Sequence, residues 1–138
     1  MERFLGRYST YIYAILRIVS GFVFMLHGAQ KFFGYPPNPK GGGPLDALMT
    51  VAAGIELIGG FLIMIGLFTS IAAFIASGMM AVAYFMVHQP QGTWPPTNGG
   101  DAAVLYCFIF LYIASRGSGV WSVESIFKGS RAAGDNGL

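Results

Sequence analysis

Six ionisable side chains interrupt or border the long apolar segments of this sequence, and they are the residues that could do chemistry: Arg17, His27, Lys31, Glu56, His88 and Asp101. Imidazole and carboxylate groups transfer protons, whereas guanidinium and ammonium groups bind anions or polarise a carbonyl group. A charged group in an apolar environment is costly unless it is paired or faces a wet cavity. We therefore predict that these six residues face the interior of a helix bundle, where they bind a ligand or handle protons.

The first apolar segment, residues 11–33, is long enough to cross a bilayer, since about 20 apolar residues span its roughly 30 Å core as a helix. One helical face, reached from Ala14 by steps of three and four, carries Arg17, Gly21, Phe24, Gly28 and Lys31. The two glycines on this face predict close packing against a second helix. The predicted partner of Arg17 is Glu56, which lies deep inside the second apolar segment.

The depths of these two residues indicate that a pair is feasible. Arg17 lies six residues from the start of its segment and Glu56 eleven residues from Leu67, so their depths differ by about 7 Å. Two interpretations stay open: an ion pair that only specifies the fold, or a ligand-binding or proton-handling pair. The other four ionisable residues are expected at the opposite, non-cytoplasmic mouth of the bundle.

Simpler roles also stay open for the residues at that mouth. Asp101 could have no role beyond capping a helix. Lys31 could simply extend its side chain towards the interface. His27 and His88 lack the close His or Cys spacing of a metal site, so no metal site is predicted. Cys107 is interpreted as an apolar filler.

Composition places the chain among membrane proteins. Of its 138 residues, 54% are hydrophobic and 10% are charged, whereas a soluble domain carries about 25% charge. The basic residues form no continuous patch, so nucleic acid is not an expected partner. One cysteine excludes an internal disulfide. We expect a polytopic protein whose first partner is the lipid bilayer.

The predicted fold is all-α: a four-helix transmembrane bundle in a single domain of residues 1–128. The spans are expected at residues 11–33, 46–67, 70–88 and 101–116, separated by loops rich in proline and glycine. Asp46 is the predicted N-cap of the second span, and Gly59 and Gly60 belong with Gly21 and Gly28 to the predicted packing faces. Residues 120–128 indicate a short interfacial helix, and residues 129–138 a disordered tail.

The basic residues also predict the orientation. Most of them lie near the two termini, so the positive-inside rule places both termini in the cytoplasm, as an even number of spans requires. The first segment has no small-x-small cleavage site after it, and we interpret it as a retained signal-anchor.

Two sequence motifs resemble those of the DoxX family. RIVSGFVFMLHGAQKFFG (17–34) is similar to the first-span motif, and GIELIGGFLIMIGLFTSIAA (54–73) is similar to the second. NGGDAAVLY (98–106) carries Asp101 directly after a glycine pair, where the family has Gly-Gly-x-Glu or close variants.

The resemblance implies a four-helix protein of the bacterial cytoplasmic (inner) membrane. Some members are linked with the small membrane subunit of thiosulfate:quinone oxidoreductase, and others with oxidative-stress or sulfur-redox complexes. We therefore expect a redox-associated membrane subunit, with a membrane or peripheral redox protein as partner, that binds a quinone-like or small anionic ligand. The alternatives are a non-enzymatic assembly subunit and a small transporter, which would have to be a homo-oligomer because four spans enclose little space.

Overall fold

The computed structural model describes residues 3–135, with side-chain surroundings as far as Gly129. A short 3-10 turn, Gly6–Tyr8, leads into α1, Ser9–Phe33. The further helices are α2 (Ala47–Ile65), α3 (Thr69–Gln91), the single turn α4 (Pro95–Asn98), α5 (Asp101–Arg116) and α6 (Val123–Asp135). The described residues contain no strand, so the predicted all-α class is confirmed.

Local signals in the sequence start and stop these helices. The carboxylate of Asp46 accepts a hydrogen bond of 2.7 Å from the backbone N–H of Met49, so the predicted N-cap of α2 is formed. Gly34 and Gly66 end α1 and α2 in the left-handed conformation, which glycine adopts without steric cost.

The helices α1 and α2 form a closely packed antiparallel pair. A methyl group on Gly21 would stand 2.7 Å from the carbonyl oxygen of Gly60, and one on Gly28 would stand 2.7 Å from that of Ala53. The buried residues of α1 include Ala14, Arg17, Gly21, Phe24 and Gly28, which follow the predicted step. Gly59 differs from Gly21, Gly28 and Gly60, because a methyl group on Gly59 would meet only the side chain of Ile55, at 3.9 Å.

The helices α3 and α5 form the second pair. Ala73 and Ala76 of α3 are fully buried, and Ser77 donates a hydrogen bond of 2.7 Å to the carbonyl oxygen of Cys107 in α5. At the end of the pair, the Ser118 hydroxyl donates to the Thr69 hydroxyl at 2.9 Å. Contacts between the two pairs are sparser than contacts within them, so the space that could hold a ligand lies between the pairs.

Three of the described helices are long and apolar enough to cross a membrane: Gly6–Phe33, Ala47–Ile65 and Thr69–Gln91. The fourth long apolar helix, α5, has 16 residues and a length of about 24 Å. Large apolar side chains point outwards from the helices, among them Ile58, Ile71, Phe74, Leu105 and Phe108, which are each at least 62% exposed. An apolar surface of this extent fits a lipid environment.

The C-terminal segment differs from the sequence-based expectation. The last helix, α6, runs from Val123 to Asp135, so residues 129–135 are helical where a disordered tail was predicted. The rest of the predicted tail, residues 136–138, lies outside the described residues. Ile126 and Phe127 are exposed, as a helix lying at the interface requires.

Candidate functional site

Glu56 and Lys31 form an ion pair between α1 and α2. The Lys31 Nζ donates a hydrogen bond of 2.7 Å to Glu56 Oε1, and the Glu56 side chain is only 7% exposed. Lys31 is therefore the partner of the buried carboxylate. The prediction that Arg17 pairs with Glu56 is therefore wrong.

The register of the two helices explains this correction. Because Gly28 lies against Ala53 and Leu57, Glu56 stands level with the end of α1 that carries His27 and Lys31. Arg17 stands level with Gly66, ten residues from Glu56 along α2, which is about 15 Å. The estimate from sequence treated Leu67 as level with the start of α1, whereas α1 extends more than one turn beyond α2.

Arg17 instead fixes the C-terminal segment. The side chain is completely buried, and its Nη2 donates hydrogen bonds to the carbonyl oxygens of Trp121 at 2.7 Å and Val120 at 3.4 Å. Its Nε and Nη1 are buried without a hydrogen-bond partner among the described residues. The backbone N–H of Glu124 donates to the Gly66 carbonyl oxygen at 3.2 Å, so the start of α6 lies against the same end of α2.

A cavity of about 300 Å³ lies between the two helix pairs at the Glu56 end, and we call it the inner cavity. Its polar lining comes from four of the six predicted site residues: His27, Lys31, Glu56 and His88. The other lining residues are Phe24, Met49, Ala52, Met79, Met80, Ala83, Val87, Ala102, Ala103 and Tyr106. Arg17 and Asp101 do not line it. A largely apolar cavity with a few convergent polar groups is typical of a small-molecule site.

Two turns of π-helix carry polar residues of the inner cavity. Glu56 lies in the turn Ile55–Gly59 of α2, and His88 ends the turn Tyr84–His88 of α3. Such turns add one residue to the helical repeat and occur frequently at functional sites. The periodicity of an ordinary α-helix did not indicate them.

The second carboxylate oxygen of Glu56 makes no hydrogen bond to the described residues. Oε2 is buried and has no hydrogen-bond partner in the part of the chain that the structure describes. An unpaired buried acceptor costs about 1–3 kcal/mol, and more when it is charged. Because Glu56 lines the inner cavity, a ligand there that donates a hydrogen bond to this oxygen would remove that cost.

One hydrogen bond, to the loop between α3 and α5, determines which nitrogen of the neutral His88 ring carries the proton. Its Nδ1 lies 3.2 Å from the carbonyl oxygen of Asn98, which can only accept, so Nδ1 carries the proton. The Nε2 of the neutral ring then has a free lone pair. Asn98 is itself buried and held by bonds to the Tyr84 hydroxyl at 3.2 Å and the Gly92 carbonyl oxygen at 3.0 Å.

Aromatic rings form one wall of the inner cavity. Tyr106 stacks on Phe110 with ring centroids 5.5 Å apart, and Phe24 lies 5.5 Å from Tyr106. His27 is exposed at the edge of the cavity and meets the Tyr106 ring edge-on at 6.3 Å. This wall offers a flat ligand ring a surface for stacking.

A second cavity, which we call the outer vestibule, adjoins the inner one. It has a volume of about 500 Å³ and is bounded by the end of α1 and the loop between α1 and α2. Lys31 and Met49 line both cavities, so they stand between them. Lys31 and Met49 thus separate the inner cavity from the loop side of the bundle.

Asp101 lies outside both cavities. It is exposed at the first turn of α5, and its side chain makes no capping hydrogen bond there. Its charge still complements the positive end of the helix dipole. Among the described residues, no group of three or more His, Cys, Asp or Glu side chains could hold a metal ion.

The sequence-based reasoning did not find three features of this site: the ring of Tyr106, the anchoring role of Asn98 and the π-helical turns. Tyr106 follows Asp101 by five residues in an apolar segment, where an aromatic residue looks like ordinary packing. Asn98 stands before the pair Gly99 and Gly100, where a polar side chain is typical of a loop. No local pattern indicates the π-helical turns, although Gly54, Gly59 and Gly60 lie in or beside the first of them.

Comparisons with known proteins find a matching family model and similar proteins. The family model described as DoxX matches residues 12–89, which is more than half of the chain. A Haemophilus influenzae protein described as uncharacterized is 41% identical over 128 residues, covering 89% of this chain and 96% of its own. A second such protein from Haemophilus influenzae is 28% identical over 123 residues, covering 83% and 82%. No solved structure matches the chain significantly.

Proposed function

This chain belongs to the DoxX family, and from that premise we propose that it is a redox-associated membrane subunit that binds a quinone-like ligand in its inner cavity. The observation that carries the proposal is the Glu56 carboxylate, with Oε1 paired to Lys31 and Oε2 buried without a hydrogen-bond partner in the described part of the chain. A buried carboxylate in the lining of a largely apolar cavity is an arrangement that can orient a small ligand with a polar edge.

The shape and lining of the inner cavity support a ring-shaped ligand. Its volume of about 300 Å³ is at the lower end of the range of small-molecule pockets, which run from about 300 to 1,000 Å³. The rings of Phe24 and Tyr106 offer an apolar stacking surface, while Glu56, Lys31 and His88 supply the polar groups. A quinone head group has this combination of a flat apolar ring and polar edges.

The polar groups also suit proton handling. Oε2 of Glu56 can accept a proton or a hydrogen bond from a ligand hydroxyl, and the Lys31 ammonium stabilises the carboxylate from the other side. His88 offers a second base through Nε2. Arg17 has no part in this proposal, because it lies at the other end of α1.

We further propose the topology in which this site works. All four long helices cross the bacterial inner membrane, with the shorter α5 held by its packing against α3. The N-terminus and α6 lie on the cytoplasmic side, where Arg3, Arg7, Arg116 and Lys128 gather. The outer vestibule and the inner cavity then lie towards the non-cytoplasmic side.

Mass spectrometry of the small molecules that co-purify with the gently solubilised protein tests the proposal. Glu56→Gln is the site variant, and Asp101→Asn is its matched control, because Asp101 is an exposed acid outside both cavities. We expect a quinone with the wild-type protein and with Asp101→Asn, and its loss from Glu56→Gln. The same lipids and no quinone in all three samples would contradict the proposal and favour the assembly-subunit interpretation.

A further inference from the structure

We infer that the inner cavity prefers the reduced, hydroxyl-bearing form of its ligand, a hydroquinone, over the oxidised quinone. The inference rests on the proposed function and concerns the chemical class that the same site selects. A hydroquinone has two hydroxyl donors, whereas the two carbonyl oxygens of a quinone can only accept. The cavity's own donors and acceptors therefore determine the preference.

Glu56 Oε2 contributes most to this preference. It is an acceptor, it is buried, and it has no hydrogen-bond partner among the described residues. A hydroquinone hydroxyl would donate to it and form a charge-assisted hydrogen bond, which is stronger than a bond between neutral groups. A quinone carbonyl would leave Oε2 unpaired and bring a second partial negative charge towards the carboxylate.

His88 adds a second acceptor to the lining. Its Nδ1 proton is directed to the Asn98 carbonyl oxygen, so Nε2 of the neutral ring can only accept. Nε2 makes no hydrogen bond to any residue that the structure describes. A second hydroxyl on the ligand would satisfy it, and a second carbonyl would not.

The remaining polar groups do not reverse this preference. Lys31 already donates to Glu56, and because it also lines the outer vestibule its other N–H groups can be satisfied there. His27 and the Tyr106 hydroxyl can each donate or accept, so they serve both forms of the ligand. The groups that can only accept therefore determine the preference.

Such a preference has a measurable redox consequence. Binding the reduced form more tightly raises the midpoint potential of the bound couple. For a two-electron couple, a tenfold preference corresponds to a shift of about 30 mV.

Anaerobic calorimetric titration of the full-length protein with duroquinol and with duroquinone tests the inference, with empty micelles as the blank. We expect duroquinol to bind at least about tenfold more tightly, since hydrogen bonds to charged groups are the strong ones. In Glu56→Gln the side-chain amide can donate an N–H to a duroquinone carbonyl oxygen, so the preference for duroquinol should disappear or invert. Asp101→Asn, the exposed control, should keep it.

A second variant keeps the test independent of how Glu56→Gln folds. His88→Leu removes the second acceptor, together with the Nδ1 hydrogen bond to Asn98, so it should weaken duroquinol binding more than duroquinone binding. Equal binding of the two forms by the wild-type protein, or tighter binding of duroquinone, would overturn the inference while leaving a quinone-like ligand in place. If neither probe binds, the proposed function fails together with it.

Discussion

The Lys31 ammonium lies 2.7 Å from Glu56 Oε1, one turn beyond the point where Gly28 brings α1 and α2 into backbone contact. The side chain of Lys31 is 27% exposed and that of Glu56 only 7%, so one end of the pair reaches the outer vestibule and the other lies inside. Because of this difference in burial, removing Lys31 has a different effect on stability from removing Glu56.

Lys31→Met should destabilise the protein by about 1–3 kcal/mol, because it leaves the Glu56 carboxylate buried without its partner. The double variant Lys31→Met/Glu56→Met should recover most of this loss, since no unpaired charge remains. Thermal unfolding in detergent, analysed as a double-mutant cycle, measures both effects. A fully additive cycle would show that the pair contributes nothing beyond its separate side chains.

Gly21→Ala should destabilise the α1–α2 pair by about 1–3 kcal/mol through overpacking. The added methyl group would stand 2.6 Å from the backbone nitrogen of Met64, and backbone atoms cannot move aside as a flexible side chain can. Gly78→Ala is the matched control, because a methyl group there meets nothing within 4 Å. It should be neutral or stabilising by up to about 1 kcal/mol, as for other helical glycines. A similar melting temperature for the two variants would contradict the close helix contact.

Arg17→Met should release the C-terminal segment while leaving the bundle folded. The substitution removes the hydrogen bonds to Trp121 and Val120 but also removes a buried charge, so the global stability should change little. Hydrogen exchange of residues 117–128 should become faster, and exchange in α3 should not. Arg7→Gln, which replaces an exposed arginine, is the control. Unchanged exchange of the C-terminal segment in Arg17→Met would rule out this role for Arg17.

The proposed topology predicts opposite labelling of two exposed positions, Lys40 and Lys128. In a Cys107→Ala background, Lys40→Cys should react with a membrane-impermeant maleimide in intact cells, whereas Lys128→Cys should react only after the cells are opened. The background is mild, because the hydrogen bond from Ser77 to the backbone oxygen of Cys107 stays and only the longer contact of 3.6 Å to Sγ is lost. Labelling of both positions in intact cells would show that α5 does not complete a fourth crossing.

The sequence by itself determined the four long helices and the inward face of α1. Apolar segments, loops of proline and glycine and the Asp46 cap act over a few residues, so they can be read without the fold. The three-and-four step through Arg17, Gly21 and Gly28 likewise marks a buried face in any helix. Four of the predicted site residues, His27, Lys31, Glu56 and His88, line one cavity because all four lie near the same end of their helices.

Only the tertiary structure decided which charges pair. The partner of Glu56 depends on how far α2 is displaced along α1, and a displacement of about ten residues would exchange Lys31 for Arg17. That displacement follows from the positions at which Gly21, Gly28 and Gly60 allow backbone contact, which no local pattern specifies. The same holds for Tyr106 and Asn98, whose roles arise from neighbours that are distant in the sequence or reached through a loop.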